Sequence, residues 1–417
     1  MKIYFAIFAV LFLAASSAYA LPSVKDGNIV VQKYVSGICC SPTTMAFIGN
    51  DILVLEKSSG EVHLIRNGIF QGTPVLKENV TSYDDQGMLG IDAVGNKVYL
   101  YFTEASSPGG TVLCNCVYSY DWDGQHLVNR TLVKAFPHYE YYHIGGIMAT
   151  DLNGSTYLVV GDNGRFEDNK AGVLGNNGTG APDDTGVIAR LVPPGPYYAI
   201  GVRNSFGLAV DPVTGKLWDT ENGPTCCDEV NLVPPNFNNG WGVLVDPRNR
   251  TQVAEIPRYE NYKYHDPQFA WIKPVAPTAI SFLDSGKFPS YKSSVLVGDC
   301  NNGNLYKFQL NQARDGFVFQ SDQLKDNVAD LGDSMDEIVF GTDFGCITDL
   351  KVGPDGLVYV VSLSDGAIYR LVPKQYLDQQ NLSEFQYLLY LIPAVGIAAL
   401  LLYIKRPRKK PLSQGEA

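Results

Sequence analysis

The 417-residue chain has little of what nucleotide and zinc chemistry require. It has only five histidines, no C-x-x-C pair, no P-loop and no G-x-G-x-x-G motif after a strand. Basic residues are also scarce, with 32 Lys and Arg against 43 Asp and Glu and a net charge of -11. These absences argue against a zinc knuckle, a nucleotide-binding domain and a nucleic-acid partner.

Long apolar runs are absent from the middle of the chain and occur at its two ends. A short basic start, an apolar run over residues 3–15 and an A-x-A triplet are typical of a secretory signal, which we place at residues 1–20. Residues 387–404 are uncharged and just long enough to cross a bilayer as a helix. A basic tail, residues 405–417, follows at once. We therefore predict a single-pass protein of the cell membrane, with this tail in the cytoplasm.

The globular domain is then expected outside the cell, over residues 21–372, with a linker of residues 373–386 before the anchor. N-x-S/T triplets suit an exported, glycosylated surface, and they begin at Asn79, Asn129, Asn153, Asn177, Asn249 and Asn381. All eight cysteines lie in the exported part, where an even number favours disulfides. Because neighbouring cysteines rarely bridge each other comfortably, we expect bonds between distant segments.

Short β-patterned segments fill the region between the two ends. Six of them share one form, in which an alternating strand, a tight turn and an aromatic-rich strand follow one another. They start at Met45, Ile91, Ile147, Leu208, Ser294 and Leu350. Spacings of roughly 45 to 90 residues suit propeller blades with loop insertions. The pattern predicts an all-β, six-bladed β-propeller, with a β-sandwich or several small β-domains as the alternative.

Four short motifs carry a resemblance to a known family. They are H-x-G-G from His143, G-D-N-G-R around Asp162, G-x-R-N ending in Arg203 and Asn204, and the turn Gly223-Pro224. Together they resemble the glucose/sorbosone dehydrogenase family, which holds the soluble quinoprotein glucose dehydrogenases and the aldose sugar dehydrogenases. The resemblance independently implies a six-bladed propeller that binds pyrroloquinoline quinone (PQQ) and calcium.

The same resemblance implies roles for the catalytic residues. His143 would take the proton of the anomeric hydroxyl of an aldose while hydride passes to PQQ, and a neutral imidazole is a competent base near neutral pH. Asp162 would assist the histidine, and Arg203 would stabilise developing negative charge through its guanidinium. Without the resemblance, each has a plain structural reading: a structural histidine, a turn-forming aspartate and an arginine paired with acids.

Cofactor contacts are implied in the same way. Gly223 and Pro224 would bind calcium through their backbone carbonyls, which are ordinary calcium ligands. Arg203 and Asn204 would contact PQQ, as would Gln86 in the segment D-Q-G-M-L-G.

The chain departs from the family at three positions where cations are expected to hold a tricarboxylate such as PQQ. The residues there are Asn301, Cys346 and Thr348. Losing charge-assisted contacts worth about 1.5–3 kcal/mol each would weaken PQQ binding by orders of magnitude. Lys307 and Lys351 are candidates to replace the missing cations. Cys300 and Cys346 lie at or beside these positions and could bridge across the channel mouth.

Three functions follow from these observations. The leading hypothesis is a membrane-tethered, calcium-dependent quinoprotein that oxidises aldoses at C1 to lactones and passes electrons to an acceptor at the membrane. The second is a non-catalytic propeller that binds a ligand or protein and has lost the PQQ-anchoring cations. The third is a calcium-dependent lactonase-type hydrolase, which needs a ring of Asp, Asn and Glu around the metal.

Overall fold

Almost all regular structure in the protein is β-strand. The computed structural model describes residues 21–39, 41–165, 184–259 and 261–377. The expected signal peptide, the anchor over residues 387–404 and the basic tail lie outside the described residues. Within the described ranges, no helix has the length and apolar character needed to cross a membrane. Helical residues in these ranges are Arg250–Glu255, the short 3-10 turns Pro289–Tyr291 and Asp322–Leu324, and residues 374–377.

The described strands form six sheets; in each, the innermost strand is called the first strand and is named first below, and the sheets are numbered by the chain order of these strands. Sheets 1 to 3 consist of Pro42–Ile48, Asp51–Glu56, Glu61–Arg66, Ile69–Phe70 and Leu76–Lys77; of Met88–Val94, Lys97–Ala105, Val112–Trp122 and Leu127–Phe136; and of Gly145–Thr150, Thr156–Val160, Val187–Val192, Ala199–Ile200, Phe237–Asn238 and Lys263–Tyr264. Sheets 4 to 6 consist of Gly207–Val210, Leu217–Glu221, Asp228–Val233, Phe269–Trp271 and Val328–Ala329; of Pro277–Phe282, Ser294–Asp299, Leu305–Gln309, Val339–Thr342 and Ser23–Val24; and of Ile347–Val352, Val358–Ser362, Ala367–Pro373 and Ile29–Ser36.

The repeated segments of the sequence are hairpins of these sheets. In five of the six, the hairpin joins the first and second strands of a sheet, as in the pair Pro42–Ile48 and Asp51–Glu56. The segment that begins at Ser294 instead joins the second and third strands of sheet 5. Tight turns require a left-handed residue, and Gly49 (φ 62°) and Gly356 (φ 77°) supply it in sheets 1 and 6.

The six sheets stand around a common centre. The first strand of each sheet contacts the first strand of the next, and that of sheet 6 contacts that of sheet 1. Both ends of the domain meet in sheet 6, where Val30 pairs with Val372 and closes the ring without a covalent link. The prediction of an all-β propeller is confirmed.

Burial along single strands shows why this arrangement is stable. Ile52, Leu53, Val54 and Leu55 are consecutive, and each is at most 1% exposed. Consecutive strand residues point to opposite faces, so both faces of sheet 1 are covered by its neighbours. Each such aliphatic side chain contributes about 1.5–3 kcal/mol when it is fully buried.

The disulfides correct one expectation and confirm another. Cys300 and Cys346, 46 residues apart, are bonded, as expected of distant segments. The other two bonds join near neighbours, Cys114 with Cys116 and Cys226 with Cys227, so the general expectation of distant pairing is wrong. In a strand, residues i and i+2 lie on one face, which brings the Cα atoms of Cys114 and Cys116 to 5.4 Å. The adjacent pair lies in a turn where Cys227 is left-handed (φ 74°).

Candidate functional site

A cavity of about 250 Å³ opens where the first strands of the six sheets converge. Its wall is mostly hydroxyl-bearing and apolar. The polar and charged members are Ser41, Thr43, Thr44, Lys57, Asp85, Thr278 and Thr348, and the Cys300–Cys346 disulfide also lines it. Residues from distant parts of the chain meet here because each sheet contributes the start of its innermost strand.

His143 lies at the turn that leads into Gly145–Thr150, the first strand of sheet 3. Its backbone is left-handed (φ 57°), and its N–H donates to Asp85 Oδ2 at 2.7 Å. The backbone at Gly161 passes so close to His143 that a Cβ at Gly161 would lie 2.2 Å from the carbonyl oxygen of His143. Glycine at position 161 therefore allows the two candidate motifs to pack against each other, which fixes the histidine.

Asp162 holds the imidazole. His143 Nδ1 lies 2.8 Å from Asp162 Oδ1, and the histidine side chain is 16% exposed while that of Asp162 is fully buried. Because a carboxylate accepts hydrogen bonds, Nδ1 is the donor in this pair, which in a neutral imidazole leaves the lone pair on Nε2. The imidazole is thus oriented with a basic nitrogen available to a ligand.

Two further bonds fix the carboxylate of Asp162. Trp241 Nε1 donates to Oδ2 at 2.6 Å, and the backbone N–H of Gly164 donates to Oδ1 at 2.9 Å. Buried carboxylates are stable when hydrogen-bonded in this way. The role of Trp241 was missed by sequence reasoning, since a single tryptophan 79 positions from Asp162 carries no local signal of the contact.

Asp85, rather than Gln86, is brought to the site. Its Oδ2 accepts from the backbone of His143 at 2.7 Å and from Asn204 Nδ2 at 3.3 Å, and the residue lines the cavity. Gln86 is 4% exposed and is not among the residues of the cavity wall that the structure describes. The predicted cofactor contact of Gln86 stays a prediction.

Arg203 and Asn204 are tied to Glu221. The backbone N–H groups of Arg203 and Asn204 donate to Glu221 Oε1 at 2.9 and 2.6 Å. Arg203 Nη1 donates to the carbonyl of Asn222 at 2.6 Å, and its guanidinium lies 5.2 Å from the ring centre of Trp241. Burial lowers the pKa of Arg203, but a guanidinium remains charged in proteins. The structure therefore places a permanent cation beside the His143–Asp162 pair.

The expected calcium turn lines a separate small cavity of about 20 Å³. Gly223 and Pro224 contribute to its wall together with Glu221 and Glu229. This volume suits a single ion or water. Glu221 Oε2 has no hydrogen-bond partner among the described residues, and burial raises the pKa of Glu221 well above its usual value and that of Glu229 to about 8. Unpaired buried carboxyl oxygens and backbone carbonyls are the donor set that calcium prefers.

Asp228 braces that turn. Its Oδ1 accepts from the backbone N–H of Gly223 at 2.8 Å, and its Oδ2 accepts from Val275 and Ala276 at 2.6 and 2.7 Å. A Cβ at Gly223 would lie 1.9 Å from the carbonyl oxygen of Cys226, so only glycine fits. The carboxylate and the glycine together set the shape of the turn.

The positions that lack the family's cations lie at or near the central cavity. Cys346 and Thr348 line it, and Asn301 donates through Nδ2 to the carbonyl of Pro274 at 3.4 Å. The suggested replacements are elsewhere. Lys351 lies 3.6 Å from Asp349, and Lys307 lies over the ring of Tyr291 at 5.8 Å. Neither lysine is in the described wall of the cavity, and their role as replacements stays a prediction.

Comparison with known proteins agrees with the fold. Residues 39–370 match the Glucose / Sorbosone dehydrogenase family. The aldose sugar dehydrogenase YliI of Escherichia coli is 25% identical over 384 residues, covering 86% of this chain and 96% of that protein. The crystal structure of the soluble aldose sugar dehydrogenase from Escherichia coli in the apo-form has a TM-score of 0.64 at 19% identity, covering 83% and 99%. The PQQ-bound aldose sugar dehydrogenase of Streptomyces coelicolor has a TM-score of 0.60 at 21% identity, covering 84% and 99%. Because the family match spans most of the chain, the protein belongs to the glucose/sorbosone dehydrogenase family.

Proposed function

We propose that the protein is an extracytoplasmic, membrane-tethered dehydrogenase that oxidises aldose sugars at C1 to lactones, with PQQ and calcium as cofactors. The observation that carries the proposal is the oriented His143–Asp162 pair beside Arg203. The proposal assigns one propeller blade to each sheet, a signal to residues 1–20 and an anchor to residues 387–404. Electrons would then leave to an acceptor at the membrane.

His143 would act as the base. Oxidation at C1 removes the proton of the anomeric hydroxyl and a hydride from the carbon, and the C–O bond becomes a carbonyl. Nε2 of His143 would take the proton, because Nδ1 is engaged by Asp162. The buried carboxylate would stabilise the imidazolium that forms, and the nearby guanidinium of Arg203 would stabilise negative charge that develops on the oxygen.

The residues present fit calcium, and they fit a polyanionic quinone through a changed set of anchors. The turn of Gly223 and Pro224 with Glu221 and Glu229 has the oxygen donors of a calcium site. Among the described residues, Lys57 in the cavity wall and Arg203 near Trp241 are cations that would face an anion, although acids surround Arg203. When bound, PQQ supplies the acceptor of the hydride. The protein side of the reaction is orientation of the sugar, proton removal by His143 and charge stabilisation by Arg203.

One observation favours a second candidate, a non-catalytic sugar- or protein-binding propeller. The Cys300–Cys346 disulfide and Thr348 form the cavity wall where the family's cations are expected. If no other cation compensates, affinity for a tricarboxylate would be low. This candidate shares the fold and differs in cofactor binding, so one titration separates the two.

The test is a PQQ titration of the full-length protein in detergent with excess calcium, followed by sugar-driven reduction of a dye. We expect saturable, calcium-dependent PQQ binding, and we expect His143→Gln to retain binding and lose dye reduction. His126→Gln, on an exposed turn, is the matched control. Absence of PQQ binding at tens of micromolar would refute the quinoprotein proposal and favour the binding propeller.

A further inference from the structure

Lys57 is the cation in the part of the cavity wall that the structure describes. It follows the strand Asp51–Glu56 and is fixed between two sheets, because its backbone N–H donates to Ser41 O at 3.0 Å and its carbonyl accepts from Met88 N at 3.0 Å. Its side chain runs along Gly87, where a Cβ would lie 2.6 Å from Lys57 Cγ. The lysine is therefore held toward the cavity rather than free on the surface.

The ammonium group of Lys57 retains capacity for a ligand. Among the described residues, Nζ donates to one acceptor, the backbone oxygen of Asp84. An ammonium has more N–H donors than this single bond uses. The nearby carboxylate of Asp85 is already engaged by His143 and Asn204. The ammonium thus has N–H donors left for a ligand, while the nearby carboxylates of Asp84 and Asp85 attract its charge.

The hydroxyl groups of the wall cannot substitute for a cation. Four threonines of the cavity use their hydroxyl protons to bridge neighbouring sheets, donating to backbone carbonyls. The pairs are Thr43 with Met88, Thr44 with Leu89, Thr278 with Ile347 and Thr348 with Pro42. These hydroxyls offer a ligand lone pairs, which suit hydroxyl donors of a sugar and not carboxylates.

We propose that Lys57 is the carboxylate anchor of the cofactor in this chain. It would act from the wall between sheets 1 and 2 in place of the cations that are absent at Asn301, Cys346 and Thr348. This inference rests on the proposed function, because it assumes that a carboxylate-bearing quinone enters the cavity. A lysine at the end of a strand carries no sequence signal of this role, and the structure reveals it through the cavity wall.

The test compares PQQ with its neutral trimethyl ester, each titrated with excess calcium into the full-length protein and followed by absorbance. Lys57→Met should weaken binding of PQQ by about 10- to 100-fold, the effect of one charge-assisted contact. Binding of the ester should change much less. Lys57→Arg should restore most of the PQQ affinity, and Lys325→Met, at an exposed 3-10 turn, is the matched control.

The outcomes separate the two proposals. If the unmodified protein does not bind PQQ, the proposed function fails and this inference falls with it. If the unmodified protein binds PQQ and Lys57→Met binds it equally well, the function stands and the anchor assignment is overturned. A thermal unfolding curve of each variant, recorded without PQQ, shows whether a change in affinity comes from misfolding.

Discussion

Asp162→Asn is the substitution that tests the catalytic geometry most directly. The carboxylate accepts from His143 Nδ1 and Gly164 N on one oxygen and from Trp241 Nε1 on the other. An amide has one oxygen and one NH₂ group, so it cannot serve both sides. Because the side chain is fully buried, water cannot satisfy the group that is left over.

Each orientation of the amide has a definite consequence. With its oxygen toward His143, the NH₂ group faces the N–H of Trp241, and the imidazolium loses its counter-charge. With its NH₂ toward His143, the amide donates to Nδ1 and forces the proton of a neutral imidazole onto Nε2, which removes the base. The unmatched donor should lower the free energy of unfolding by about 1–3 kcal/mol.

We expect Asp162→Asn to lower kcat by about 100- to 10,000-fold while KM changes little, as for a wrong tautomer of a catalytic histidine. The assay is steady-state dye reduction with an aldose, in protein loaded with PQQ and calcium. Asp123→Asn, in an exposed turn, is the control. A kcat within about 3-fold of the unmodified protein would refute the assignment of His143 as the base held by Asp162.

Four further outcomes are expected. Trp241→Phe removes one hydrogen-bond donor to Asp162 and should lower kcat by about 10-fold in the same assay, with PQQ affinity retained. An unchanged kcat would mean that the N–H of Gly164 alone orients the carboxylate. Burial raises the pKa of Glu229 from 4.5 to about 8. The stability that the protonated Glu229 contributes is therefore present below pH 4.5 and is lost as the pH rises toward 8. Urea unfolding of the calcium-free protein should show this loss of stability, and the Glu229→Gln variant should show a smaller loss. Calcium should bind more tightly as pH rises through the same window, since the ion displaces the proton, which calorimetry can measure. Cys300→Ser should lower the free energy of unfolding by up to about 4 kcal/mol, the loop-closure entropy of 46 residues, and equal melting temperatures of variant and unmodified protein would contradict this.

The fold was predictable because its signals are local. Alternation within each hairpin and glycines at turns such as Gly49 and Gly356 depend on neighbours in sequence, and the repeated pattern follows from them. The strand Ala367–Pro373 pairs with Ile29–Ser36, far away in the sequence, and no local pattern predicts that pairing. The same limit applies to the disulfides, where the geometry of a strand and a turn, and not spacing, decided the pairs.

The candidate site was predictable only where a motif carried it. His143 and Asp162 were found from their short motifs, and the structure joins them at 2.8 Å. Trp241 and Lys57 were missed because each reaches the site through tertiary contacts with partners far away in sequence. The contacts of Asp85 with His143 and Asn204 were also missed, since side-chain direction within a turn depends on backbone angles that the sequence does not determine.

The acids around Arg203 determine how much positive charge a polyanionic cofactor would meet. Its guanidinium is near the carboxylates of Glu221, Asp162, Asp228 and Asp85, so its single positive charge is already offset by acids. A polyanionic quinone would therefore meet a region with no surplus of positive charge unless other cations enter. Calcium at the turn of Gly223 and Pro224 would neutralise part of the acidic group, and Lys57 would supply a further positive charge close to Asp85. The base on the sugar side needs neither calcium nor Lys57 for its orientation, because Asp162 holds His143 and Trp241 holds Asp162. Cofactor affinity should therefore depend on calcium and on Lys57, whereas the orientation of the base should not.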